Sequence, residues 1–387
     1  MKHHSVSDLS QVIAPVSKAR GLPNAHYVDP DVFAEEREAI LFNNWSGIGF
    51  AKDIPNQGDA KPIDFLGVPL LAVRDGEGAV RVYQNTCRHR GMILVDAPSN
   101  IRGTIRCPYH SWCYGLDGAL RSTPHVGGPG QNLHEDIKRK ELGLIEFPSH
   151  VYRDVIFVNV SRKAAPFEAY AAKLLERWRE HDTPLYPGGG ASDFTLAVKT
   201  NWKLAVENFC ESYHLPWIHP GLNAYSRLED HYHIEEPGAF AGQGTYVYRQ
   251  LEGKDGETFP DFEGLSEFWD EGAEYISFFP NVLFGAQRDH GFAMILMPVG
   301  IDETHELTSI YYGFDPAEHP EKAELIEKNA ALWKGVFEED IFVVEGMQKG
   351  RHGPHFDGGK FSPVMDNPTH VFHAWAASQI LGHRDAG

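Results

Sequence analysis

The chain carries two short Cys/His pairs, Cys87-Arg88-His89 and Cys107-Pro108-Tyr109-His110, separated by 17 residues. A C-x-H pair followed by a C-x-x-H pair constrains folding strongly. Each half is too short to enclose anything by itself. Each should lie on a tight loop between strands, and two such loops can pinch one centre. The surrounding sequence suits that demand. From 46 to 160 it runs in short strand-like stretches with turn signals between them. Examples are Gly67-Val68-Pro69-Leu70-Leu71-Ala72-Val73, Asp75-Gly76-Glu77-Gly78 and Ala79-Val80-Arg81-Val82-Tyr83. Leu116-Asp117-Gly118-Ala119 adds an Asp-Gly hairpin signal. The block is expected to be a small all-β domain.

Two chemistries use two Cys and two His. Tetrahedral zinc is one. A Rieske two-iron two-sulfur cluster, with two Cys on one iron and two His on the other, is the second. Zinc sites usually pair Cys with Cys and His with His. Here each half mixes one of each, which suits a cluster with one face of each kind. A coincidence of a buried Cys with a surface His does not account for two mirrored pairs. The remaining cysteines, Cys113 and Cys210, are expected to be small buried thiols.

Composition narrows the setting. Four Cys in 387 residues suit reduced thiols rather than a disulfide scaffold. The segment Met1-Lys2-His3-His4-Ser5 has no apolar leader character, and no run of about 18 apolar residues follows. A cytoplasmic protein without a membrane span is expected. Lys plus Arg number 35 against 54 acids, a net charge of −19, which argues against nucleic acid as a partner. The length suggests two or three domains, at roughly 150 residues each.

A second constellation begins at Asn201. Glu207, Glu211 and His214 fall at i, i+4 and i+7, one face of an expected helix, with Asn208 offset by one. Trp202, Phe209 and Trp217 lie among them, which fits poorly with a simple solvated stripe. His219 follows His214 by five residues, about 140° around a regular helix. Pro216 lies between and forbids a regular continuation. A bend there can return His219 toward His214.

Residues 321–349 read as one long helix that tolerates Gly335 and Gly346. Its apolar stripe is Ile326, Ala330, Trp333, Phe337, Val344 and Met347, and Asp340 fills the gap in it. A carboxylate on a buried face needs a cation or strong donors. Glu338 and Glu339 are expected to face water. A buried salt bridge from Asp340 to Arg or Lys is one possibility. The other is metal: His214, His219 and Asp340 fit the two-His-one-carboxylate triad of non-haem Fe(II) oxygenases. Elsewhere, helices are expected at 33–42, after Asp29-Pro30-Asp31, at 166–181, and as a short apolar helix at 372–381. Pro187-Gly188-Gly189-Gly190 reads as a loop. Strands are expected at 275–286, 292–298 and 306–314.

The segments Asn85-Thr86-Cys87-Arg88-His89-Arg90-Gly91 and Cys107-Pro108-Tyr109-His110-Ser111-Trp112-Cys113-Tyr114 resemble the cluster-binding segments of Rieske oxygenases. Glu211-x-x-His214-x4-His219, Glu339-Asp340 and Gln348-x-Gly350 follow in the expected order. From about 27 to 381 the chain resembles the catalytic α subunit of Rieske non-haem iron oxygenases. That family includes aromatic ring-hydroxylating dioxygenases and quaternary ammonium monooxygenases.

The resemblance implies an α+β fold. A Rieske all-β domain would span 46–160. A helix-grip catalytic domain, an antiparallel sheet wrapped on the long C-terminal helix, would span 161–387. An N-terminal helical segment, 1–45, would pack with the catalytic domain. The resemblance also implies a 2Fe-2S cluster on Cys87, His89, Cys107 and His110, a mononuclear Fe(II) on His214, His219 and Asp340, and O2 as co-substrate. Electrons would come from an NAD(P)H-dependent reductase or ferredoxin and cross between subunits of a homo-oligomer, a trimer. Glu211 would bridge a cluster His and an iron His, and Asn208 would stand beside it at the catalytic centre.

Many members carry Asp where this chain has Glu211. Glu is seen in members acting on quaternary ammonium compounds such as carnitine and glycine betaine. Monooxygenation beside nitrogen, giving N-demethylation of an alkylammonium substrate, is therefore the favoured expectation. Hydroxylation or dihydroxylation of an aromatic ring, in aromatic compound catabolism, is the alternative. Tyr275, Phe278, Phe279 and Phe284 could build a cation cage, an aromatic slot or ordinary sheet core. The −19 charge would also draw in a cationic substrate. A Rieske electron carrier without catalysis needs only the first constellation, and a zinc-binding interaction protein would be colourless.

Overall fold

Turn chemistry and short β runs fold residues 47–163 into antiparallel strands. In the computed structural model, which describes residues 6–254 and 256–386, this stretch forms one of two units, Gly47–Lys163. The other unit is Met1–Ser46 with Ala164–Gly387. The reading of no apolar leader rests on residues 1–5, which lie outside the described residues.

The smaller unit has a five-stranded sheet in the order Ser99–Asn100, Asp59–Phe65, Val68–Arg74, Val80–Gln84, Glu146–Phe147. Asp75 closes its central hairpin by accepting the N–H groups of Glu77 and Ala79, both at 2.9 Å. Gly78 takes φ +85°, a backbone state that other residues rarely adopt. A three-stranded sheet, Ile105–Arg106, Cys113–Tyr114 and Leu120–Ser122, holds the second Cys/His pair in the loop between its first two strands. Leu71, Val73, Tyr83, Ile105 and Tyr114 form a core that also includes Cys87 and Cys107.

The larger unit is built on an eight-stranded antiparallel sheet. Glu303–Tyr312 pairs with Asp193–Val198, Tyr186–Pro187 and His290–Gly300. Beyond them run Val282–Ala286, Ala273–Phe278, Phe240–Thr245 and His231–Glu236. The long helix Ala323–Gly350 lies on this sheet, with Trp333 and Phe337 ring centroids 4.8 and 5.2 Å from Phe292. Its stripe is buried from Ile326 to Val344, but Met347 is only half-buried. Gln348 takes the buried position instead, accepting from Asn201 N–H and donating to the Tyr27 carbonyl. The last helix, Asn367–Ala386, has 20 residues and is longer than the expected 372–381.

Asp29 starts the helix Pro30–Glu36 by accepting the Asp31 N–H at 2.9 Å. Glu36 is fully buried and accepts from Lys203 Nζ at 2.6 Å and His26 Nδ1 at 2.8 Å. Glu207 belongs to the same charged interior, where it contacts Tyr27, Arg351 and His373.

The expected single face of Glu207, Glu211 and His214 does not form. The helix Trp202–Phe209 ends before Glu211. The Glu211 carboxylate captures the N–H groups of Tyr213 and His214 and so competes with helix continuation. Pro216 then sits in the first turn of the short helix Leu215–Ile218, where a missing N–H costs nothing. The break thus comes from Glu211, and Pro216 begins the next turn.

Candidate metal centres

The two Cys/His loops are built alike. Cys87 N–H donates to the Met92 carbonyl at 2.8 Å, and Gly91 N–H donates to the Cys87 carbonyl at 2.9 Å. Cys107 N–H donates to Trp112 at 2.8 Å, and Ser111 N–H donates to Cys107 at 3.1 Å. The fourth residue after each Cys takes positive φ, +72° at Gly91 and +59° at Ser111. Both thiols are buried, at 3% and 2% exposure, while His89 and His110 face outward. The two imidazole centroids lie 4.7 Å apart. Burial pushes the Cys87 thiol up, against the opposing hydrogen bond of Tyr114, and Cys107 close by adds to the rise. Two sulfurs inside and two imidazoles outside fit the two faces of a Rieske cluster. Cys113 is half-buried and its thiol donates to the Ser111 carbonyl, whereas Cys210 is fully buried.

In the larger unit, His214 Nε2 and His219 Nε2 lie 3.7 and 3.1 Å from Asp340 Oδ1. The three ligand atoms lie within 4.8 Å of one another. The other nitrogen of each imidazole is engaged: His214 Nδ1 by Glu211 and His219 Nδ1 by Glu339, each at 2.7 Å. Ionised carboxylates only accept, so both Nδ1 atoms donate, and in the neutral imidazole each Nε2 then presents a lone pair. Asp340 Oδ1 is buried with no hydrogen-bond donor among the described residues. Among the described residues no Lys or Arg pairs with Asp340. Three converging acceptors call for a cation between them, so the residues fit a mononuclear metal.

Glu339 departs from expectation. It is half-exposed, yet it orients a proposed ligand rather than simply facing water. Its signal in the sequence was adjacency to Asp340. Asn208 is buried and lines both the main pocket and a smaller cavity behind the triad. That smaller cavity also holds Glu306, a residue the sequence did not single out. Burial lifts the Glu306 carboxyl to about 8, and the charge of Asp340 adds to the rise.

The pocket opens beside the triad. Its aromatic wall is Phe209, Tyr225, Tyr248, Tyr275, Phe292, Trp333 and Phe337, and among the described residues no Lys or Arg lines it. Of the four aromatics weighed as cation cage, aromatic slot or sheet core, Tyr275 lines the pocket. Phe278 packs on Phe167 and Tyr170, Phe279 on Phe372 and Trp375, and Phe284 on Trp178. Strand alternation turns Phe278 to the face opposite Tyr275. Phe292 comes from the strand two over in the same sheet, in register across Gly285, and Trp333 and Phe337 come from the long helix.

A family model of the Rieske [2Fe-2S] domain matches residues 44–138. A family model described as the ring hydroxylating alpha subunit (catalytic domain) matches residues 175–382. The carnitine monooxygenase oxygenase subunit of Acinetobacter pittii (strain PHEA-2) is 24% identical over 336 residues, covering 85% of this chain and 84% of that protein. The chloroplastic choline monooxygenase of Atriplex hortensis is 26% identical over 368 residues, covering 94% and 78%. The naphthalene 1,2-dioxygenase of Rhodococcus sp. bound to indole shares the fold with a TM-score of 0.77 at 20% identity, covering 98% and 99%.

Proposed function

This chain belongs to the ring-hydroxylating α-subunit family of Rieske non-haem iron oxygenases, and on that premise we propose that it oxidises a quaternary or other alkylammonium compound at a carbon bound to nitrogen. Members of the family use a Rieske cluster, a mononuclear iron and O2, act with a reductase or ferredoxin, and form oligomers. The observation that carries the substrate class is the pocket wall beside the triad: seven aromatic side chains, with no Lys or Arg among the described lining residues. Electron-rich ring faces attract an ammonium group. The relatives named for carnitine and choline support the same class.

Cys87, His89, Cys107 and His110 would hold the cluster, and His214, His219 and Asp340 the iron. When bound, these groups supply electrons and O2 activation for insertion of oxygen into the substrate. The chain supplies the rest. Glu211 and Glu339 fix the tautomers and ring orientations of His214 and His219. Glu211 also serves as the link toward a cluster histidine, and Asn208 stands beside the triad as a polar group at the reacting centre. The aromatic wall orients the ammonium and keeps bulk water from it.

The finer assignments complete the reading. Residues 46–160 act as the cluster domain, and 161–387, with the segment 1–45, act as the catalytic domain. An NAD(P)H-dependent reductase or ferredoxin supplies electrons to a homotrimer in the cytoplasm. The described helices include none long and apolar enough to cross a membrane.

An aromatic wall would also seat a planar ring, and a naphthalene dioxygenase shares this fold. Aromatic ring hydroxylation is therefore the second reading. Formaldehyde release from a panel of trimethylammonium compounds, set against diol formation from naphthalene, decides between them. In Asp340→Ala the cluster absorbance should persist, iron should fall from about three to about two per chain, and turnover should vanish. Retained turnover would remove Asp340 from the triad.

A further inference from the structure

We propose that Asp289, one layer behind the pocket wall, is the anion that tunes this site to a positively charged substrate, acting through Tyr248 and through His290 and Trp333. The proposal rests on the alkylammonium reading and deepens it. It assigns selectivity for charge to a residue that does not line the pocket.

Asp289 lies in the turn between the strands Val282–Ala286 and His290–Gly300. Hairpin tips ordinarily sit in solvent. Here Gln287 and Asp289 are both fully buried. Asp289 Oδ1 accepts from the Tyr248 hydroxyl at 2.7 Å and from His290 Nδ1 at 2.8 Å. The Trp333 indole N–H donates to His290 Nε2 at 2.7 Å. An indole nitrogen can only donate, so His290 Nε2 carries its lone pair and the proton sits on Nδ1, facing Asp289. The Tyr248 phenol is held protonated, first by its burial and then by the neighbouring Asp289 charge.

Asp289 therefore meets two neutral donors. Its Oδ2 is buried with no hydrogen-bond partner among the described residues. The adjacent Arg288 is committed elsewhere, to the carboxylates of Asp261 and Asp270 and the Asp270 carbonyl. A buried carboxylate without a contacting cation is costly. A ligand that brings the missing positive charge would recover part of that cost.

The geometry supplies the route. Tyr248 and Trp333 both line the pocket. A phenol that donates to a carboxylate becomes more electron-rich at its oxygen and ring. The indole gains likewise by donating to an imidazole that itself leans on Asp289. Both changes deepen the negative faces that attract an ammonium. Trp333 stands 5.9 Å from Tyr275 and 4.8 Å from Phe292 between ring centroids, so the polarised rings are part of one continuous wall. The exposed Arg249 lies over Tyr225, 6.0 Å from its ring centroid, and does not line the pocket.

The test uses two probes of nearly equal shape, choline and its uncharged carbon isostere 3,3-dimethylbutan-1-ol. Their affinities for the holoenzyme are measured by titration calorimetry. The wild-type protein should prefer choline by about tenfold or more. Asp289→Asn, which keeps the shape and removes the charge, should lose most of that preference while binding the neutral alcohol within about twofold of wild type. Tyr248→Phe removes one link and leaves the hairpin its other anchor, and it should reduce the preference by a smaller factor. If Asp289→Asn does not fold, Tyr248→Phe decides. An unchanged choline preference in the variants overturns the proposal, as does equal weakening of both probes, which is the mark of a merely structural role. A wild-type protein that does not prefer choline overturns the alkylammonium reading as well, so the two failures are distinct.

Discussion

Glu339 accepts a hydrogen bond from Nδ1 of His219 at 2.7 Å, although 120 residues separate them in sequence. The next residue, Asp340, places Oδ1 3.1 Å from Nε2 of the same ring. Two consecutive acids on one helix thus address the two nitrogens of one imidazole. One fixes the tautomer and the other lies at the proposed metal position. This arrangement makes Glu339 a positioning residue. In Glu339→Ala the affinity for iron at this site should fall by about 10- to 100-fold, with Glu339→Gln milder. Iron content after dialysis against a graded chelator would show it, and the cluster absorbance should not change. Wild-type iron retention in Glu339→Ala would reduce the contact to a surface ion pair.

The cluster loops should be separable from the triad. Cys107→Ser removes a buried sulfur whose loop is closed by backbone bonds to Trp112 and Ser111. The red-brown absorbance should disappear and about one iron per chain should remain. Turnover with the reductase should cease. Survival of the visible spectrum would place the cluster on other ligands.

Glu306 gives a dependence on pH. Its carboxyl is lifted to about 8 by burial, with the charge of Asp340 adding to the rise. A raised carboxyl binds its proton more tightly in the folded state than in the unfolded one. Its contribution is therefore complete below the ordinary carboxyl range and is lost as pH rises through about 8. In protein stripped of iron, stability should decline between about pH 5 and pH 9, by on the order of a few kcal/mol from this group. Glu306→Gln should flatten that part of the curve, as read by chemical denaturation at a series of pH values. An identical slope in the variant would assign the decline to other groups. Iron loading should pull the same carboxyl down, because a nearby cation favours its ionised form.

The charged interior near the N-terminal helix is a matter of stability. Lys203 and Glu36 are both 0% exposed and meet at 2.6 Å. Lys203→Met leaves Glu36 with His26 alone among its described partners and should cost about 3–5 kcal/mol in urea unfolding. The double variant Lys203→Met/Glu36→Leu should recover a substantial part, since both buried charges then go. A single-variant loss below about 1 kcal/mol would mean that water reaches the pair.

Much of the site was legible because its chemistry is local. The mirrored loops at Cys87 and Cys107 need only a Cys, a turn residue four positions on, and a neighbouring His, all within one short stretch. The acid on the buried stripe of the long helix was legible because helical period depends on spacing alone. The face shared by Glu207, Glu211 and His214 was misread because periodicity takes no account of side-chain capture. Glu211 bonds to the backbone of Tyr213 and His214 and ends the helical path, while Glu207, inside the helix, packs with Tyr27, Arg351 and His373.

The amino-acid sequence by itself determined the candidate ligand types, their pairing and the two kinds of loop and helix that carry them. These follow from neighbours within a few residues, where bond geometry leaves few choices. Tertiary structure decided which of two adjacent acids meets which nitrogen of His219. It also decided that Tyr275, rather than Phe278, Phe279 or Phe284, faces the pocket, and that a hairpin tip bearing Asp289 is buried behind Tyr248 and Trp333. Those outcomes depend on how the long helix seats on the sheet. That seating is set by packing among residues far apart in the chain, which no local pattern encodes.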